Sequence, residues 1–395
     1  MATSNTKRNA RAFAAAAVAG AGVLAAAGAF AAPASAQTAS AGTASATRLH
    51  VQRIAYGAKL HHTFRPGGSG AARTGPLTSP DDITRLGQDI FVNFQNGVGP
   101  QGQAAPDGNL DSTIVEFTLT GREVAQWDLH GKSDGLTADP LTGLVIATVN
   151  EDANSALYTI NPCTGRVTRY HYSEPLPHQG GTDSIAVYQG RLLISASAPG
   201  TTGGSAPDAA FPAVYVTTLD ARDQVAQVSP LFYDEAPAYQ ADGPAAGKTV
   251  RLALTDPDSS EVVPWSAPEY AGDFVLDSQG DQELIFDRIE GGHQQLTALH
   301  LSQAVDDSAW VTSSYGALYI PDGTDDTVDR VTGPFTVGAM YDSVTPCDAA
   351  TAPATCPAPG FPANYLATTS MTTGALTPVP LTGPALHTMG MVFVP

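Results

Sequence analysis

The feature that most constrains this chain is a pattern that returns. "HGKSDGLTADPLTGLVIATV" at residues 130–149 reappears in outline as "HQGGTDSIAVYQGRLLISAS" at residues 178–197: a histidine, an aspartate, an apolar strand, a Gly-containing turn and a second apolar strand. Each such pair is followed by a hairpin. Residues 80–129 hold "PDDITRLGQDIFVNF" and then "STIVEFTLTGREVAQWDL". Residues 133–172 hold "SDGLTADPLTGLVIATV" and then "ALYTINPCTGRVTRYHY". Residues 182–232 hold "TDSIAVYQGRLLISAS" and then "AVYVTTLDARDQVAQVSPLF". Four antiparallel strands in about 40–50 residues is the size of one β-propeller blade. Helical periodicity is nearly absent, so the chain reads as all-β.

Later units are less regular. "GDFVLDSQGDQELIFDRIEGGHQQLTALHL" and "VDDSAWVTSSYGALYIPDGTDDTVDRVTG" read as a fourth and fifth blade, and residues 335–382 as another, while residues 233–270 find no clear place. The C-terminal "ALHTMGMVFVP" reads as two opening strands without a hairpin, and "RLHVQRIAYGAKLHHTF" supplies the missing pair. Pairing the terminal strands would close the ring and remove exposed sheet edges. The count favours seven blades, with six as the alternative. Residues 37–78 are then the closing segment and residues 79–395 the propeller.

Residues 1–36 stand apart. Lys7, Arg8 and Arg11 precede an Ala/Gly/Val run ending in Ala34-Ser35-Ala36, the pattern of a cleaved signal peptide. The mature chain is therefore expected to be secreted and extracellular, with no membrane attachment, and to be a monomer. Without those three residues, 16 of the 19 Lys+Arg face 38 Asp+Glu, a balance of −22. Such a chain has nothing with which to displace counterions from phosphate, so nucleic acid is excluded as a partner. Its excess of acid suits cations. Cys347 and Cys356 lie nine apart in a Pro/Ala-rich stretch and are expected to form a local disulfide in an oxidising compartment. Cys163 is left unpaired in a turn.

Aligning the first strands on their apolar residues puts Asp81, Asp134, Asp183 and Asp307 in one column, with His387 in the same column of the last blade. The innermost strand of each blade lines the central channel, so these side chains would converge on the axis. Carboxylates crowded there need a cation or bound protons, and calcium suits oxygen ligands. Equally, aspartates before strands cap turns through backbone amides. His130 precedes Asp134, His178 precedes Asp183, and His300 precedes the Asp306–Asp307 pair. On one face and beside a metal, His178, His387 or His130 could serve as general acid or base. The acidic run at residues 322–329 reads as a solvated turn, and His61-His62 as the exposed end of a closing strand.

The stretches "SDGLTADPLTGLVIATV", "ALYTINPCTGRV" and "ALHTMGMVFVP" resemble secreted NHL-like propellers of actinobacterial type, and more distantly the gluconolactonase, strictosidine synthase and streptogramin lyase group. The resemblance implies a funnel-shaped propeller, often with calcium at the axis. It supplies no Glu ligand here, and His387 is the one residue that matches a lyase-type histidine at a blade start. Two functions are compatible with this reading. One is a binding propeller that holds a small molecule, glycan or partner at the channel mouth with an axial cation. The alternative is a calcium-type hydrolase or lyase acting on a lactone-like or ester substrate.

Overall fold

The computed structural model describes residues 48–176, 180–199, 211–349, 352, 356 and 364–395. The chain divides into residues 1–45 and residues 46–395, and every described residue belongs to the second unit. The expected signal peptide lies outside the described residues, as does His178. Among the described residues the elements are strands and three-residue 3₁₀ turns, and no helix is long and apolar enough to cross a membrane.

The chain opens with β1 (Leu49–Tyr56) and a separate hairpin of β2 (His61–Phe64) and β3 (Arg73–Pro76). A first four-stranded meander follows: β4 (Pro80–Leu86), β5 (Asp89–Phe94), β6 (Asp111–Thr118) and β7 (Glu123–His130). The second is β8 (Ser133–Asp139), β9 (Leu144–Val149), β10 (Ala156–Asn161) and β11 (Arg166–Tyr172). The third is β12 (Thr182–Tyr188), β13 (Arg191–Ala196), β14 (Pro212–Asp220) and β15 (Val225–Tyr233), whose outer edge pairs with β11 in parallel. These three meanders follow the repeats read from sequence. Their strands are rich in β-branched and aromatic residues and stop at Gly or Asn turns with positive φ, such as Gly143 and Gly190.

The segment that had no place becomes an outer edge and an innermost strand. β16 (Pro237–Gln240) and β17 (Thr249–Arg251) extend the outside of the fourth sheet, and β18 (Pro257–Val262) begins it. β19 (Phe274–Ser278), β20 (Glu283–Glu290) and β21 (His293–His300) complete that sheet.

The last two sheets share their chain. β22 (Val305–Trp310) does not pair with the next hairpin, β23 (Ala317–Asp322) and β24 (Thr327–Thr332). It pairs with β25 (Met340–Val344), which leads to β26 (Tyr365–Thr369) and β27 (Leu376–Pro378). The β23–β24 hairpin sits in the final sheet with β28 (Leu381–Thr382) and β29 (Val392–Val394), in the order β28-β1-β24-β23-β29. Bonds between Val311 and Ala339, and between Gly338 and Val311, extend the β22–β25 ladder and commit β22 to that partner.

This corrects the assignment of residues 305–333 to one blade. It also makes six four-stranded sets among the described residues, because three sequence units fill two sheets. The termini do meet in one sheet, β29 innermost and β1 outer, but the tail from Ala385 contributes one three-residue strand rather than two.

The innermost strands neighbour one another in the order β4, β8, β12, β18, β22, β29 and back to β4, which is the closed ring of a β-propeller. The core is accordingly a series of apolar layers between adjacent sheets. Phe91 and Ile114 meet Leu136 and Val145, Ile146 and Leu157 meet Ile185 and Ile194, and Leu193 and Val214 meet Leu276 and Ile285. Each sheet buries both faces, so its inner strands read as near-continuous apolar runs.

Candidate functional site

The innermost strands carry one irregularity in common. In the first sheet, Pro80 faces Phe94 and Ile83 faces Val92, so β4 has one residue more than β5 over that step. The same excess falls between Ser133 and Leu136, Thr182 and Ile185, Pro257 and Ser259, and Val305 and Asp307. A bulge bends the strand and re-aims its side chain. Every one of these five bulges contains an aspartate: Asp81, Asp134, Asp183, Asp258 and Asp306. In the sixth sheet the place is taken by Gly390, whose N–H donates to the Asp81 carbonyl at 2.9 Å. The five aspartates line one cavity of about 360 Å³ on the ring axis.

Side chains of the second strands hold the bulges in place. Asn93 donates through Nδ2 to the Asp134 carbonyl at 2.7 Å, Thr148 to the Asp183 carbonyl at 2.6 Å, and Ser195 to the Pro257 carbonyl at 3.3 Å. Each reaches from its own sheet to the innermost strand of the next. Gly135 is required by the same closeness, since a Cβ there would press on the Asp183 carbonyl and lie 2.8 Å from Ser184 Cα.

The next residue along two innermost strands has a different role. Asp82 accepts the Leu136 amide at 2.6 Å and the Ile83 amide at 2.5 Å. Asp307 accepts Ser259 Oγ and the Met391 amide, both at 2.5 Å. These two carboxylates staple neighbouring strands with all their oxygens engaged. The sequence alignment puts Asp307 in the axial column; in the structure Asp306 is the residue in the bulge and Asp307 follows it, both lining the cavity.

Electrostatically the ring is crowded. Lys132 Nζ lies 2.5 Å from Glu151 Oε1 and 3.3 Å from Asp134 Oδ2, and among the described residues no basic one lines the cavity itself. Asp134, Glu151 and Asp183 bring one oxygen each within 4.8 Å of one another. Asp134 Oδ2 is buried, with the Lys132 ammonium as its neighbour. Burial, opposed by Lys132 and reinforced by Asp306, raises Asp81 to about 7. Burial and Asp134 raise Glu151 to about 8, and burial with Asp307 does the same for Asp306. Asp183 and Asp258 are held well above the usual carboxylate range by burial and then by neighbouring carboxylates, and Asp134 is raised by burial.

The donor set is hard, anionic and in excess of its counter-charge, which suits an ion of the calcium type. Asp134, Glu151 and Asp183 are the residues that would hold it, with Asp81, Asp258 and Asp306 facing the same cavity.

The histidines fall elsewhere. His130, at the end of β7, is largely exposed and its Nδ1 lies 3.1 Å from Asp111 Oδ1. His387 sits against buried Asp322, its backbone N–H donating at 3.0 Å and its Nδ1 at 3.3 Å from the same oxygen. It does not share the aspartate column. Asp325 completes that cluster and is paired with Arg53. His300 bridges Asp242 and Glu283. Among the described residues no histidine lines the cavity.

Two further expectations are corrected. Asp322 is fully buried rather than part of a solvated turn, because it caps the β23–β24 turn and the His387 segment together. His62 is buried on the β2 hairpin, beside Thr113 and Asp128, with only His61 exposed. The disulfide between Cys347 and Cys356 is present, and Cys163 is a free, exposed thiol.

No protein family and no curated protein sequence matches this chain. Solved structures do match its fold. A protein of unknown function from Bacteroides caccae is 11% identical over 85% of this chain and 98% of that one, with a TM-score of 0.43. A luciferin-regenerating enzyme is 12% identical over 70% of this chain and 87% of its own, with a TM-score of 0.37. The Dos1 propeller is 10% identical over 70% of this chain and 53% of its own, with a TM-score of 0.31.

Proposed function

We propose that this protein is a binding propeller. Its axial aspartates take a calcium-type cation, and the cation presents the hydroxyl or carbonyl oxygens of a small molecule or glycan at the channel mouth. The observation that carries this reading is the five-fold recurrence of an aspartate at a bulge, all five facing one cavity that has no basic lining among the described residues. Stapling of neighbouring strands accounts for Asp82 and Asp307, whose oxygens accept from backbone amides and, for Asp307, also from Ser259 Oγ. It does not account for Asp134, whose buried Oδ2 faces the Lys132 ammonium at 3.3 Å and the carboxylates of Glu151 and Asp183 rather than a backbone amide. The expected signal peptide and the Cys347–Cys356 disulfide suit a protein acting outside the cytoplasm, where calcium is abundant.

The alternative is a calcium-type hydrolase or lyase, and one observation favours it. Glu151 and Asp306 are held near 8, a range useful for proton transfer at neutral pH. The binding reading stands first because no described imidazole reaches the cavity. A glycan array probed in calcium and again in EDTA separates these from a mere scaffold. The expected result is binding that is lost on chelation and in Asp183→Asn. Retention of every bound glycan in EDTA, or no binding in either buffer, would overturn the reading.

A further inference from the structure

The connection from β18 to β19 leaves the ring at the opposite end of β18 from Asp258. Its inward residues are anchored. Val263 and Ala267 are buried in one apolar layer with Trp310 and Met340, and Tyr270 stacks on Phe286 with ring centroids 3.8 Å apart. Trp265, on the same connection, is 87% exposed. An indole is among the largest apolar surfaces a side chain offers, and here it stays in water.

The ring is nonetheless fixed. A Cβ added at Gly272 would lie 2.6 Å from Cη2, 2.9 Å from Cζ2 and 3.0 Å from Cζ3 of Trp265. Near-equal distances to three consecutive ring atoms put that point over the face of the indole, not off its edge. One face therefore rests on the Gly272 backbone and the other is turned to solvent. Gly272 has a φ of +84°, which suits glycine. Its N–H donates to the Val263 carbonyl at 2.9 Å, and the Tyr188 hydroxyl donates to its own carbonyl at 3.2 Å. Gln189, exposed, donates through Nε2 to that hydroxyl at 2.9 Å. Asp273 accepts Arg288 Nε at 2.9 Å and Nη2 at 3.3 Å, and the guanidinium is 46% exposed.

The flat ring thus has an exposed amide and a charge-balanced guanidinium–carboxylate pair beside its support. A second ring stands on the adjoining loop. Gly338 packs against the Ser266 carbonyl and donates to the Val311 carbonyl at 2.8 Å, and from Val311 the chain runs to Tyr315, 83% exposed.

We propose that Trp265 is the platform of a second binding site, for a neutral polysaccharide of β-linked pyranose units. Such a unit has a face of axial C–H groups and a rim of equatorial hydroxyls. The C–H face stacks on the indole, and the rim meets the amide of Gln189 and the guanidinium of Arg288. A ring held flat on backbone suits stacking, whereas a bilayer anchor must project its side chain into the lipid. Exposed Ser266, Pro268 and Glu269 beside Trp265 leave it without the apolar core of a protein interface. With 38 Asp+Glu against 19 Lys+Arg, the chain repels anionic polymers. None of these residues lines the axial cavity, so the inference rests on neither the channel nor its cation.

The test is affinity electrophoresis in native gels carrying hydroxyethyl cellulose, run in EDTA. The format registers weak binding because the polymer is present throughout. Wild type should be retarded. Trp265→Ala should need at least tenfold more polymer for the same retardation, with melting temperature and calcium binding unchanged. Trp265→Phe, which keeps a platform, should fall between the two. Gly272→Ala, whose Cβ takes the place of the ring, should also weaken retardation. No retardation of wild type, or equal retardation of wild type and Trp265→Ala, would overturn the proposal. If wild type instead pellets with phosphatidylcholine vesicles, or dimerises, in a Trp265-dependent way, the face takes lipid or a second copy and the proposal fails. Retardation without calcium binding would leave this inference standing and remove the axial reading; calcium binding without retardation would do the reverse.

Discussion

Replacing Lys132 by Met removes the one ammonium that touches the axial acids and keeps the length of the side chain. Lys132 contacts Glu151 at 2.5 Å and Asp134 at 3.3 Å, with side-chain exposures of 16%, 24% and 11% in that order. Breaking a fully buried pair costs about 3–5 kcal/mol, and the residual exposure here reduces that to about 2–3 kcal/mol. The loss depends on pH. Glu151 moves from 4.5 to about 8 on folding and Asp81 from 3.8 to about 7, so the folded form holds the extra protons.

Stability attributable to these groups therefore falls as pH rises from about 4 to 8. Without Lys132 both groups rise further. The variant should match wild type at pH 5, where the carboxyls are protonated. At pH 8.5 it should melt roughly 3–4 °C lower, from an unfolding entropy of about 2.1 cal/mol/K per residue over about 350 residues. The assay is thermal unfolding by circular dichroism in EDTA at both pH values. A variant as stable as wild type at pH 8.5, or equally destabilised at both, would show that the axial acids do not depend on Lys132 for their charge balance.

Other consequences follow from single contacts. Gly135→Ala should destabilise by about 1–3 kcal/mol or more, because its Cβ meets backbone on the third innermost strand and no side chain can rotate away; urea unfolding measures it. Asp277 occupies the second-strand position that holds Asn93, Thr148 and Ser195 in other sheets, yet both its oxygens are buried without hydrogen bonds and burial raises it well above the usual range. Asp277→Asn restores a donor, so its melting temperature should exceed wild type at pH 8 and fall to parity at pH 5. A lower melting temperature at pH 8 would contradict that equivalence. Asp307→Asn keeps shape but weakens the acceptor for Ser259 and Met391, and about 1–2 kcal/mol should be lost in unfolding.

The first three sheets were legible because each repeats one strand–turn–strand–hairpin unit with its glycines in place. The last two were not, since β22 and the β23–β24 hairpin look like one blade locally and only the long-range pairing with β25 and β29 separates them. Asp81, Asp134 and Asp183 could be aligned from apolar neighbours alone. Asp306 was displaced to Asp307 because both precede the same apolar strand and a bulge leaves no mark in the sequence. Asp258 was hidden in residues 233–270, although "PDS" there parallels "TDS" at residues 182–184. Glu151 had no periodic signal at all, coming from the loop after β9. His130, His300 and His387 fall away from the channel for a physical reason: they lie on outer strand ends and at the closing segment, where carboxylates outside the channel engage them.

The central claim is that the axis binds a divalent cation through its aspartates. Calcium titrated by calorimetry into chelator-treated wild type, Asp134→Asn and Asp183→Asn tests it most directly. One site per chain in wild type, at least tenfold weaker in both variants and accompanied by a rise in wild-type melting temperature, is the predicted result. No saturable heat in wild type and a melting temperature indifferent to calcium and EDTA would contradict it.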